Sequence, residues 1–328
     1  MLPLARSLSL LTRAVLVGYA ASSAQALVFF DTSDTSHNTT APAGTYADSG
    51  WRYEGVFGDN LGTVIAPQYF LTAAHVPVET TFTRLGIFTG GSDESYTVDS
   101  TAFSGAGYYT LPGTDLRLYK ITGSFTDWAE LYTGSAETGL TAVVHGKGGA
   151  RGSEVYLDAG FGPELKGWLG TGTDRVPRWG TNQITGVIPD ASSPVGDLLS
   201  ADFDALAGTD EAMLTGNDSG GGLFVKDVDG VWRLAGVNYA VDGAFNTAPT
   251  DTGAFNGALF DKGGYWEGQG SNWDFNLNLP VDVSQSFYAS RITTSADQLK
   301  TITGVPEPGS LLLVLLLAVT SVRRRRRH

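Results

Sequence analysis

The chain has 328 residues, 42% hydrophobic and 17% charged, enough for one large domain or two small ones with a sizeable core. It has no cysteine, which excludes disulfides, cysteine-ligated zinc, iron–sulfur clusters and a thiol nucleophile, and four histidines leave little room for a multi-histidine metal site. The net charge is −13, and residues 27–305 carry 14 basic against 33 acidic side chains; so acidic a body repels a phosphate backbone and argues against nucleic acid as a partner.

Residues 1–26 read as a secretory signal peptide. Arg6 and Arg13 supply the positive start, residues 14–21 a short apolar stretch, and Ala24-Gln25-Ala26 a small-x-small cleavage site. Residues 27–50, rich in Thr, Ser, Asp and Gly from residue 31 onward, read as a flexible N-terminal segment. From Trp51 the pattern changes to short strands. Residues 61–66 and 69–74 form two strands about a Pro67-Gln68 turn. Residues 116–121 alternate apolar and polar, as a half-buried strand should, and residues 141–144 are a short buried run before a Gly-rich loop. Residues 222–225 and 232–237 flank Asp229-Gly230, the strongest hairpin signal in the chain. Only residues 295–302 read as a helix, with Ser295 as its cap and Leu299 and Ile302 on one face. With 43 glycines and 11% aromatic residues, this succession predicts an all-β protein built from barrels.

The C-terminus is an address rather than part of the fold. Val305-Pro306-Glu307-Pro308-Gly309-Ser310 precedes the apolar run of residues 311–319, and Arg323 to Arg327 follow. Residues 309–322 fall short of the ~20 needed for a comfortable span and cross a bilayer only with thinning or arginine snorkelling. The arginines stay cytoplasmic. This order of parts resembles the PEP-CTERM sorting signal of Gram-negative bacteria. The resemblance implies an exosortase-type processing enzyme as a partner, transient contact with the inner membrane, and a final place in the cell envelope or outside the cell. A simple tail anchor is the alternative.

Three segments carry chemistry. His75 ends the run Phe70-Leu71-Thr72-Ala73-Ala74-His75, Asp115 precedes the strand from Leu116, and Ser219 lies in Gly216-Asn217-Asp218-Ser219-Gly220-Gly221-Gly222. A serine hydroxyl is a poor nucleophile near neutral pH without an adjacent base. An imidazole can take that proton and return it to a leaving group. A buried carboxylate orients the ring and stabilises its charged form. Glycines let the backbone turn sharply beside the serine, and N–H groups there can face a developing oxyanion. Two other patterns are weaker. His145, in Val144-His145-Gly146-Lys147-Gly148-Gly149, reads as part of a turn between strands rather than a phosphate loop. Asp227, Asp229 and Asp242 do not complete a calcium loop. No metal and no cofactor are expected.

In the order His, Asp, Ser, these segments resemble the trypsin-like (chymotrypsin-fold) serine peptidases. Leu71-Thr72-Ala73-Ala74-His75 resembles the histidine motif, Asn217-Asp218-Ser219-Gly220-Gly221 the serine motif, and Asp115-Leu116-Arg117-Leu118-Tyr119-Lys120-Ile121 the aspartate-plus-strand motif. The similarity covers residues 51–303 and leaves 304–328 to the sorting signal. It implies two six-stranded antiparallel β-barrels with the active site in the cleft between them and a short C-terminal helix. It also implies that Ser219 is the nucleophile, His75 the general acid–base and Asp115 its orienter, with the backbone N–H groups of Asn217 and Ser219 as the oxyanion hole. The substrate is then a polypeptide, and the protein an exported serine endopeptidase working through an acyl-enzyme. The alternative is a catalytically inactive module of the same fold that binds protein or polysaccharide at the cell surface; it predicts His75 beyond hydrogen-bond reach of Ser219.

The departures are specific. Asn217 stands where the family usually has glycine, although Asn tolerates positive φ better than most residues. Met213 stands six residues before the nucleophile, where a trypsin-type acid would be, so no Lys/Arg preference is implied. The substrate pocket is expected from Met213, Asn238 and Tyr239. In members activated by cleavage, a new N-terminus pairs with the Asp before the serine. Asp218 is in place, but no activation sequence is evident between Ala26 and Gly62. Residues 151–210 match poorly and read as inserted or expanded loops around the cleft.

Overall fold

Short apolar runs broken by glycine and aspartate turns pair here as antiparallel strands. In the computed structural model the described residues are 27–305, apart from Phe161, Asp174 and Pro194. The expected signal peptide, residues 1–26, and residues 306–328 of the expected sorting segment lie outside the described residues.

The first half rolls into one sheet of seven strands. Their order is Glu94–Thr97, Thr81–Arg84, Glu54–Phe57, Asn60–Ala66, Tyr69–Ala73, Leu116–Lys120 and Tyr108–Thr110. An antiparallel bridge between Val98 and Ile121 brings the two ends together, so six strands form a ring. Tyr108–Thr110 takes the rest of the free edge of Leu116–Lys120. The interior is aromatic. Phe70 stacks on Phe82 at 4.1 Å and on Tyr119 at 5.0 Å between ring centroids. Gly55 makes room for this, because a Cβ there would lie 2.3 Å from the Phe82 ring. Each fully buried ring of this kind contributes roughly 1.5–3 kcal/mol.

The second half is a closed barrel of six strands: Arg178–Ile188, Leu198–Asp202, Ser286–Arg291, Trp232–Val241, Gly222–Lys226 and Thr141–Gly146, which returns to the first. Its core is largely aliphatic, with Val144, Leu199, Leu223, Ala235 and Phe287 all buried. The predicted all-β, two-barrel architecture is therefore what the chain adopts, with a seventh strand on the first barrel. The helix is Ala296–Thr303, one residue later than expected. Ser295 precedes it without a side-chain cap bond, and Gly304 ends it at φ +70°. One-turn helices at Gly86–Thr89 and Ala102–Gly105 were not anticipated. Among the described residues no helix is long and apolar enough to cross a membrane.

Two expectations differ from the structure. Residues 151–210 are not mainly loops. Gly149–Asp158 and Pro163–Thr173 form a long hairpin completed by Gly257–Leu259, and Arg178–Ile188 is a barrel strand. Its polar side chains find distant partners, as where Arg178 donates to the Thr35 carbonyl and Asn182 to Glu211. The segment 27–50, read as flexible, is packed down. Val28–Phe29 pairs with Ala212–Met213, His37 Nε2 donates to Asp210 at 3.0 Å, and the Trp179 indole donates to the Thr40 carbonyl at 2.9 Å.

Candidate active site

The two barrels meet where strand ends from one face a glycine-rich loop of the other. Tyr69–Ala73 pairs with Leu116–Lys120 up to Ala73–Leu116. The ladder is prolonged by the Ala74 N–H donating to the Asp115 carbonyl at 2.8 Å. That register carries His75 and Asp115 off the same end of the sheet, side by side. The Asp115 carboxylate accepts from the His75 backbone N–H at 3.0 Å and from the ring Nδ1 at 2.6 Å. A carboxylate only accepts, so Nδ1 carries the proton and Nε2 of the neutral ring is left as an acceptor. Nε2 lies 2.8 Å from Ser219 Oγ. The aspartate side chain is 7% exposed and the histidine 24%, so the ring is buried on its orienting side and open on the other.

Ser219 owes its place to its neighbours. Asn217 has φ +64° and Gly220 φ +85°, which turn the loop sharply on either side. Asparagine at 217 thus holds a left-handed conformation, which it tolerates better than most residues. A Cβ on Gly220 would lie 2.2 Å from both the Leu61 carbonyl and Thr72 Oγ1 of the first barrel. Only glycine lets the loop come that close. Thr72 Oγ1 donates to that same Leu61 carbonyl at 2.7 Å, and the Leu61 N–H donates to the Ser219 carbonyl at 3.4 Å. The first bond lies within the first barrel and holds the Leu61 carbonyl in place; the second crosses the seam and ties the nucleophile loop to that strand.

No protein-family model matches the chain, and no curated protein matches it. Among solved structures it is similar to neuropsin, a serine protease expressed in the limbic system of mouse brain. The two share 13% identity over 78% of this chain and 96% of that one, with a TM-score of 0.43.

Behind the loop lies a buried polar layer that the motifs did not announce. The Asp218 carboxylate accepts from the backbone N–H groups of Lys147 and Gly148, and from the N–H and hydroxyl of Thr215. Among the described residues no side-chain cation pairs with it. Burial pushes its pKa up to about 8, against the pull of those four donors. Leu27, the residue after the predicted cleavage site, is buried beside it. A Cβ placed on Gly146 would touch both, at 2.2 Å from Asp218 Oδ1 and 3.1 Å from Leu27 Cγ. His145 is not in a turn; it sits wholly buried in Thr141–Gly146, with Nδ1 3.3 Å from Glu54 Oε1.

The expected pocket residues separate. Tyr239 reaches the site, its ring edge-on to His75 at 5.8 Å. Met213 is fully buried in the second barrel and pairs with Val28. Asn238 is also buried, with its side chain turned inward to backbone carbonyls. The three aspartates weighed for calcium are engaged elsewhere: Asp227 and Asp229 by Arg233, Asp242 by Lys262 and Tyr288. Among the described residues no cluster of three or more acidic or histidine side chains could hold a metal ion.

Proposed function

We propose that the protein is an exported serine endopeptidase. The observation that carries this reading is the unbroken hydrogen-bond chain from Asp115 through His75 to Ser219, with the tautomer fixed by a carboxylate that can only accept. In this reading His75 Nε2 takes the Ser219 proton as Oγ attacks the scissile carbonyl. Asp115 stabilises the resulting imidazolium without becoming protonated. The N–H groups of Asn217 and Ser219 face the oxyanion, and His75 returns the proton to the leaving amine. Water then enters by the same route and hydrolyses the acyl-enzyme. Tyr239 lines the substrate side of the imidazole.

The site also suggests how the protein matures. Removal of residues 1–26 leaves an α-ammonium on Leu27, whose side chain lies near a buried carboxylate that pairs with no side-chain cation among the described residues. Pairing the two neutralises Asp218 next to the nucleophile, so export and maturation become one event. The C-terminal segment then serves sorting at the envelope by an exosortase-type enzyme.

A fluorophosphonate probe tests the central claim. The folded mature chain is expected to label, and Ser219→Ala is not. A folded, mature protein that neither labels nor cleaves a peptide library would end the hydrolase reading. For maturation, a chain beginning at Leu27 is expected to label faster than one carrying an extra residue before it, and equal rates would overturn that part alone.

A further inference from the structure

Asn238 donates from Nδ2 to two carbonyls, that of His145 at 2.8 Å and that of Asp218 at 3.1 Å. Both partners only accept, so the amide nitrogen must face them. Its backbone joins the same loop: its N–H donates to the Gly221 carbonyl at 2.9 Å, and its carbonyl accepts from the Gly220 N–H at 3.0 Å. Asn238 Oδ1 is buried and has no partner among the described residues. The side chain is therefore held by the two bonds it gives.

The Asp218 carbonyl belongs to the peptide that joins Asp218 to Ser219. A trans peptide is planar, and its C=O and N–H point in opposite directions. The chain's only cis bond among the described residues is at Gly243–Ala244. Drawing the Asp218 oxygen inward onto Asn238 therefore turns the Ser219 N–H outward, away from the buried layer. The Gly221 N–H adds a second bond to the same oxygen, at 3.2 Å. Gly221 permits this packing, because a Cβ there would lie 2.1 Å from the His145 carbonyl and 3.0 Å from Asn238 Nδ2.

We propose that Asn238 is a positioning residue that aims the Ser219 N–H at the oxyanion by clamping the Asp218 carbonyl to the strand Thr141–Gly146. This rests on Ser219 being the nucleophile. Its place is behind the loop rather than in the substrate pocket.

The test is Asn238→Leu in the mature chain, which keeps the branched shape and deletes only the two donated bonds. Asn238→Ala, where water can enter, is the second variant. Rates are normalised to active sites titrated with a fluorophosphonate, so an unfolded fraction does not count. Misaiming one donor is expected to lower kcat toward the roughly 10²–10³-fold loss that removing an oxyanion donor causes, with KM within about threefold. Affinity for a peptide boronate, which forms a tetrahedral adduct, is expected to fall in parallel with kcat. Amide exchange at Gly220 and Gly221 is expected to quicken in both variants. An unchanged kcat per titrated site would overturn the proposal. If the wild-type chain proves inert, the hydrolase reading fails by itself, and the exchange measurement still decides the clamp: unchanged protection at Gly220 and Gly221 in the folded variants would refute it.

Discussion

The two barrels contribute to the site in opposite ways. The first holds His75 and Asp115 at the ends of paired strands over an interior of stacked rings. The second holds Ser219 on a loop with two left-handed residues, above a layer of buried polar groups: Asp218, Asn238, His145 and, across the seam, Glu54. An imidazole needs only a fixed direction, which a rigid ladder supplies. A nucleophile beside an oxyanion site needs several peptide groups turned to face one point. Regular strands do not provide that, and a buried hydrogen-bond network does.

This contrast predicts different failures on the two sides. The largest effect is on chemistry with little loss of fold: Asp115→Asn is expected to lower kcat by about 10⁴-fold, because the amide favours the wrong imidazole tautomer. Thermal unfolding and kcat measured together check that the loss is catalytic. Next comes the aromatic interior. Phe70→Ala is expected to destabilise the protein by roughly 3–5 kcal/mol in denaturant titrations, with activity per folded molecule largely retained. If that activity collapsed too, the first barrel would be less independent of the site than its apolar core suggests.

The polar layer predicts a pH effect confined to the second barrel. Asp218 and Glu211 are both held near pKa 8 by burial, far above the range of exposed carboxylates. A raised carboxyl binds a proton more tightly in the folded state than in the unfolded one. Its contribution is therefore complete at acid pH and is lost as pH rises from the usual carboxylate range through about 8. In a chain extended before Leu27, stability is expected to fall across that window, and Asp218→Asn to flatten the fall. In the mature chain the Leu27 ammonium is expected to remove the Asp218 share. Thermal melts of the two forms at several pH values measure this. The smallest effect is at Gly230 (φ +83°), in the hairpin turn remote from the site. Gly230→Ala is expected to cost ~1–2 kcal/mol and leave kcat and KM unchanged.

Much of the scaffold was readable from the chain. The strands read at 61–66, 69–74, 116–121 and 222–225 announce themselves by apolar runs between turn residues, and the structure forms each within one residue of those bounds, with Asp229-Gly230 turning where expected. His75, Asp115 and Ser219 were singled out from local motifs, and the fold brings them within hydrogen-bond reach of one another. What was not legible depends on distant partners. Arg178–Ile188 looks like a loop because its buried positions include Arg178, Thr181 and Asn182. They are tolerated only because Thr35, Asp210 and Glu211 come to meet them. Leu27 and Val28 follow the expected cleavage site and look like the start of a tail. Their burial depends on a strand more than 180 residues away. Asn238 was assigned to the pocket because nothing local tells an inward amide from an outward one. A buried asparagine between apolar Val237 and aromatic Tyr239 was the available hint, since such a group is seldom retained without partners.

Gly220 leaves no space for even one methyl group where the loop crosses to Leu61 and Thr72. The halves therefore cannot slide or gape at that point without first drawing the hydroxyl off the imidazole. Any breathing between them would silence reactivity while both cores were still intact, so inactivation on gentle heating should run ahead of unfolding.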